Sequence, residues 1–192
     1  MSKSRLEAFS DGVLAIIITI MVLELHVPQG RDFGALRPLL PVLLAYVLSF
    51  VYVGIYWNNH HHLLHAAKRV NGSVLWANLH LLFWLSLFPF VTAWMGENGT
   101  APQPAALYGI VLMMAALAYW ILERRLVSAE GSNSMLARAI GNDRKGVLSV
   151  VIYAVAIPLA FFGHWMAQLF YVVVALIWLV PDRRIEKALL AE

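Results

Sequence analysis

The residues with the most chemical character fall in two short stretches of this chain. The first is Asn58-Asn59-His60-His61-His62, followed by His65. Imidazole suits zinc, copper, nickel or haem iron. On a helix His61 and His65 share a face, as do His62 and His65. Three consecutive histidines nevertheless sweep about 200° of a helix, so they cannot all ligate one ion. No carboxylate accompanies them, and no His-Glu-x-x-His motif occurs. The favoured reading is therefore no metal site, with the rings hydrogen-bonding to neighbouring helices. A metal or haem protein, with His80 as a further ligand, stands as an alternative. His62 and His65 are candidates for pH sensitivity, since an unperturbed imidazole titrates at about 6.5.

The second stretch is Arg5-Leu6-Glu7-Ala8-Phe9-Ser10-Asp11-Gly12, which runs into the apolar segment Val13–Leu25. At about 100° per residue, Arg5, Gly12, Ile16, Thr19 and Leu23 share one helical stripe less than a third of the circumference wide. Asp11 lies roughly 110° to one side of it and Glu24 roughly 110° to the other. Such a stripe of small, branched and hydroxyl residues could simply pack on a neighbouring helix. For Asp11, in the first turns, the less favoured alternative is an N-terminal capping acid.

The elements that must hold these residues are set by composition. Of 192 residues, 61% are hydrophobic and 13% charged, and the mean hydropathy is +0.72. Soluble domains are about 45–50% apolar and about 25% charged, so this chain belongs in a bilayer. With no cysteine, thiol nucleophiles, iron–sulfur clusters, thiolate zinc sites and disulfide scaffolds are excluded. No serine or histidine has a credible nucleophile partner within one span, so hydrolase chemistry is disfavoured and no catalytic residue is assigned.

Spanning helices need about 20 mostly apolar residues. Six candidates predict an all-α polytopic membrane protein of one domain, over 8–27, 38–65, 74–95, 105–126, 147–162 and 166–180. The connectors carry turn residues: Pro28-Gln29-Gly30, Asn71-Gly72-Ser73, Gly96–Gly99 and the long Ser128–Gly146. With both ends on one side, twelve of the 14 Lys and Arg share that side, and only Arg31 and Arg37 lie opposite. The positive-inside rule then places both termini in the cytoplasm. The basic residues form no single patch for nucleic acid. Trp57, Trp76, Trp94, Trp120 and Trp165 lie near proposed helix ends, as an aromatic belt would place them. Asp11 and Glu24 inside the first apolar run, and no small-x-small site before Pro28, argue against a cleaved leader.

Arg5-x-x-x-Phe9-Ser10-Asp11-Gly12 resembles the signature of the lysosomal potassium channel family (transmembrane protein 175) and its bacterial relatives. Trp57-x-x-His60-His61 resembles the family's second-helix element. Trp76-x-Asn78 with Pro89-x-x-Thr92 resembles its third helix. Six spans with both termini cytoplasmic resemble the bacterial, single-repeat branch. The resemblance implies a potassium-preferring channel in the bacterial plasma membrane, with the first helix of each subunit lining the pore of a symmetric homotetramer. Carried over by position, Ile16 takes the hydrophobic constriction and Thr19 the hydroxyl position linked to cation preference. Leu23 takes the outer apolar position, with Ile20 at the edge of the stripe. Arg5, Ser10 and Asp11 join the polar network at the cytoplasmic end, with Asp11 a partner for His60, His61, Asn78 or Arg5.

This reading makes physical sense. One helix cannot enclose a water path, but rotational symmetry turns Ile16, Thr19 and Leu23 into stacked rings. Apolar rings block ions by dewetting when narrow, and a hydroxyl ring offers weak ligands to potassium and other monovalent cations. Protons are a further candidate permeant. No resident cofactor is expected. Glu24 at the extracellular mouth would concentrate cations, or be interfacial without a role. The sequence has no Thr-Val-Gly-Tyr-Gly filter; Val51-Tyr52-Val53-Gly54 is assigned to packing, and modest selectivity is expected. A substrate-coupled transporter remains an alternative, for which Pro89 and Pro158 are the hints of interrupted helices.

Overall fold

Where the apolar runs are interrupted decides where the helices begin and end. The computed structural model describes residues 2–131, 134–141 and 143–179, and the regular elements among them are helical. Val180, Arg183, Arg184 and Lys187, used in the span and charge readings, lie outside the described residues.

Helix α1 covers Lys3–Leu23 and is capped at Glu24, whose N–H turns back to the Val22 carbonyl. The apolar run predicted a helix to Val27. It ends four residues earlier in a turn at Glu24 and Leu25, and Pro28, which disfavours helical backbone at Val27 and offers no N–H to the Glu24 carbonyl, keeps it from resuming. A short 3-10 segment, Phe33–Leu39, leads into α2, Leu40–Ala66. Pro41 sits in the first turn of α2, where a missing N–H breaks no intrahelical bond.

The third span departs most from expectation. The run read as one helix, Val74–Met95, is two: α3, Gly72–Ser86, and α4, Phe88–Glu97. Pro89 is the cause, since it offers no N–H to the Leu85 carbonyl and its ring crowds the preceding turn. The Leu87 N–H instead turns back to the Trp84 and Leu85 carbonyls. Helix α5, Pro102–Glu130, is the longest and ends at Gly131, whose φ of +99° suits glycine at a helix terminus. A short helix α6, Met135–Ile140, lies in the long connector, where none was expected. Helices α7, Arg144–Leu159, and α8, His164–Leu179, are the last of the described elements. At 16 residues, α7 reaches about 24 Å, less than a hydrocarbon core of roughly 30 Å.

Counting α3 and α4 as one, the main helical segments number six among the described residues, and four of them are long and apolar enough to cross a bilayer. Helix α5 is the hub, packing on α3, α4, α7 and α8, while α1 lies to one side against α2, α3 and α4. Tyrosines staple the interior. Tyr52 Oη donates to the Tyr171 carbonyl at 2.6 Å, Tyr153 Oη donates to Tyr52 Oη at 3.1 Å, and Tyr171 Oη donates to the Ala105 carbonyl at 3.0 Å. Ser49 Oγ lies 2.6 Å from Thr92 Oγ1 and 2.9 Å from Tyr108 Oη. These bonds satisfy polar groups for which a bilayer interior supplies no water. Val51–Gly54 is continuous helix within α2, with Tyr52 and Val53 buried.

One close approach is testable. A Cβ on Gly96 would fall 2.8 Å from the Val42 Cα, so α2 and α4 approach backbone to backbone there. Gly96→Ala must push the helices apart, at about 1–3 kcal/mol for overpacking. A lowered melting temperature of the detergent-purified protein is expected; a variant melting with the parent would mean that the helices have room to spare.

Candidate functional site: the outward face of the first helix and its polar anchor

Helix α1 has two unlike sides. Leu6, Ser10, Leu14, Ile17 and Met21 are buried against the rest of the chain. They centre roughly 150° around the helix from the Ile16–Thr19–Leu23 stripe. Ser10 is the polar member of the buried side, and it starts a directed chain of hydrogen bonds. Its hydroxyl donates to the Leu6 carbonyl at 2.9 Å. Its oxygen accepts from Asn78 Nδ2 on α3 at 3.0 Å. Asn78 Oδ1 lies 2.7 Å from His60 Nε2 on α2, which is the donor because an amide oxygen can only accept. Ser10 and Asn78 are fully buried and His60 nearly so. Three helices are thus joined through one amide, which fixes both the rotation and the axial register of α1.

A second link sits beside it. Trp57 Nε1 donates to Asp11 Oδ1 at 3.0 Å. Asp11 therefore bonds to an indole rather than to His60, His61, Asn78 or Arg5. Nor is Trp57 a helix-end residue: it lies well inside α2 and bridges to α1. Arg5 is exposed and takes no part in the network. His61 is likewise exposed, with its ring stacked on Trp57 at 6.1 Å and on His65 at 6.0 Å between centroids. His80 accepts from Trp84 Nε1 within α3 at 3.0 Å. The histidine side chains are thus dispersed: His60 inward, His61 and His65 on an outer stack, His80 on another helix.

A third link ties down the start of α1. Lys3 Nζ donates to the His65 carbonyl near the end of α2 at 2.9 Å. Close by, Glu130 Oε1 at the end of α5 accepts from the backbone N–H groups of Lys68 and Arg69 at 2.5 and 2.6 Å. Sequence reading did not single out Glu130, because a lone acid at a helix end carries no spacing signal.

The other side of α1 faces away from the chain. Ile16 is 58% exposed, Ile20 41% and Leu23 78%. Thr19 is exposed among them, and its hydroxyl donates to the Ile16 carbonyl at 2.8 Å. With its hydrogen committed to the backbone, the Thr19 oxygen presents only lone pairs outward. Gly12 continues this face with nothing within 4 Å of where a Cβ would be. Phe9 is half exposed on its flank. Glu24 caps the far end and is half-buried. An apolar strip of this kind, interrupted by one hydroxyl and one glycine, can line a narrow path in a symmetric ring.

Comparison with known proteins places the chain. Residues 5–89 match the family described as the endosomal/lysosomal potassium channel TMEM175. A potassium channel of Chryseobacterium sp. (strain P1-3) is 59% identical over 189 residues, covering 98% of both chains. A potassium channel of Streptomyces collinus is 32% identical over 187 residues, covering 88% of this chain and 91% of that one. The crystal structure of a lysosomal potassium-selective channel TMEM175 homolog from Chamaesiphon minutus matches with a TM-score of 0.81, covering 94% of this chain and 97% of that one at 29% identity. This chain is an integral membrane protein and no enzyme: it belongs to the TMEM175 potassium channel family.

Proposed function

We propose that the chain conducts potassium passively as a homotetramer, with α1 of each subunit lining the central pore. The observation that carries this reading is the outward-facing stripe of α1, held in rotation by the Ser10–Asn78–His60 chain. Ile16, Ile20 and Leu23 form the hydrophobic constriction, which excludes ions by dewetting while it is narrow. Thr19 supplies a ring of weak oxygen ligands suited to a partly dehydrated monovalent cation. Glu24 lies at the outer mouth and raises the local cation concentration. Both termini are cytoplasmic, by the charge distribution, and the membrane is the bacterial plasma membrane.

Purified protein in a planar bilayer, with potassium on one side and sodium on the other, tests the reading. Reversal toward the potassium equilibrium potential supports it; reversal near zero leaves a non-selective cation pore. No current over a range of pH and voltage would overturn it. Thr19→Val keeps shape while removing the oxygen, so the reversal potential is expected to move toward that of a non-selective pore with protein yield unchanged. An unchanged reversal potential would remove Thr19 from the selectivity role.

A further inference from the structure

A small cavity lies between α2, α5, α7 and α8, lined on the α2 side by Tyr52, Tyr56 and Asn59. Most of the hydroxyl and ring N–H groups around it are committed to protein partners. Tyr153 Oη donates to Tyr52 Oη, which donates in turn to the Tyr171 carbonyl. Tyr119 Oη donates to the Asn59 carbonyl at 3.2 Å. Trp178 Nε1 donates to Ser149 Oγ at 2.8 Å, and Ser149 Oγ donates to the Lys145 carbonyl at 2.8 Å.

Tyr56 is the exception. It is only 9% exposed, yet its hydroxyl bonds no group among the described residues. The side chain lines the cavity, and its oxygen is not sealed off by neighbouring atoms. Burying a hydroxyl without a hydrogen bond is costly, and buried polar side chains nearly always have a protein or water partner.

Two acceptors line the same cavity. Asn59 Nδ2 donates to the Ile55 carbonyl at 2.8 Å, which leaves its Oδ1 uncommitted. Asp143 Oδ1 accepts from the Gly146 N–H at 3.0 Å, which leaves Oδ2. One donor and two acceptors match the bonding capacity of one water, which accepts from Tyr56 and donates to Asn59 and Asp143. Size selects the same guest. The cavity measures about 40 Å³, against roughly 30 Å³ for a water in the liquid and about 150 Å³ for a cavity that admits benzene. The walls are largely aromatic, so these three polar groups decide what the cavity can hold.

We propose that this cavity is a binding site for one internal water, held by Tyr56 Oη, Asn59 Oδ1 and Asp143 Oδ2. Helix α7 packs chiefly on α5 and α8, and the Tyr153–Tyr52 bond ties its middle to α2. The water adds a second tie, from the start of α7 to α2. It braces the helix whose Trp57 and His60 anchor α1. The inference does not depend on α1 lining a pore.

An experimental structure of the full-length protein at a resolution that shows water tests the proposal, alongside X-ray hydroxyl-radical labelling in solution. Density for one water is expected roughly 2.5–3.0 Å from Tyr56 Oη. Radicals born from that water should label Tyr56, while Tyr108, buried with its hydroxyl beside Ser49 Oγ, stays unlabelled. Tyr56→Phe keeps the ring and removes the donor, so loss of the water density is expected. The labelling reads the parent protein and keeps the test available if the variant folds poorly. The proposal would be overturned by no density beside Tyr56 Oη, or by an elongated density that assigns the cavity to an alkyl chain. Labelling of Tyr56 no faster than Tyr108, or a water that persists in Tyr56→Phe, would overturn it as well.

Discussion

Ile16→Asn is expected to raise single-channel current about tenfold, corresponding to a barrier lowered by about 1.4 kcal/mol. Ile16 is more than half exposed and contributes nothing to the buried side of α1. The substitution should leave the subunit fold intact, so a change in current reads the path and not the packing. In a ring of identical subunits it replaces a band of apolar methyls with amides that bind water, removing the condition for dewetting. The opposite placement gives the opposite sign. If the stripe faced lipid, a polar amide there would meet hydrocarbon, lower the yield of membrane-inserted protein and leave the current per channel unchanged. Recording single channels in a planar bilayer separates the two, because conductance per channel is independent of yield. Leu23→Asn, further out on the same stripe, should act in the same direction if the constriction extends over more than one turn.

How much of this could be read in the residues themselves depends on whether one helix or two are needed to define the feature. The stripe of Gly12, Ile16, Thr19 and Leu23 is a property of α1 alone, because a 100° step fixes which side chains share a side. The structure turns that side outward, since Leu6, Leu14, Ile17 and Met21 supply a denser apolar face opposite. The six apolar segments were likewise legible, because a spanning helix announces itself by length and composition. The break at Leu87 was legible only as a hint, in Pro89, because hydropathy is blind to it: α3 and α4 are similarly apolar on either side. The partner of Asp11 was out of reach for a different reason. Which of Trp57, His60 and His61 meets α1 depends on the mutual rotation of two helices, and spacing along either one leaves that rotation free. The exposed His61–His65 stack arises in the same way, from α2 turning His60 inward.

That rotation is where the second large effect is expected. Asn78→Leu should lower the melting temperature and reduce the fraction of active channels together. Asn78 is fully buried and is the sole link in the chain from His60 on α2 to Ser10 on α1. Leucine matches asparagine in heavy-atom count and branching, though it is bulkier, and it accepts nothing from His60 Nε2 and donates nothing to Ser10. Ser10 keeps its bond to the Leu6 carbonyl, so the main cost is the buried imidazole N–H left without an acceptor, about 1–3 kcal/mol. Asn78→Asp divides the effect, since its carboxylate still accepts from His60 while the donor to Ser10 is gone. The Ser10 hydroxyl can turn from the Leu6 carbonyl to donate to that carboxylate, so Asn78→Asp should be less damaging to stability and conduction than Asn78→Leu. Thermal melting by size-exclusion in detergent, alongside bilayer recording, checks both halves. A Leu variant that melts and conducts like the parent would mean that packing alone, through Leu6, Leu14, Ile17 and Met21, sets the rotation of the helix.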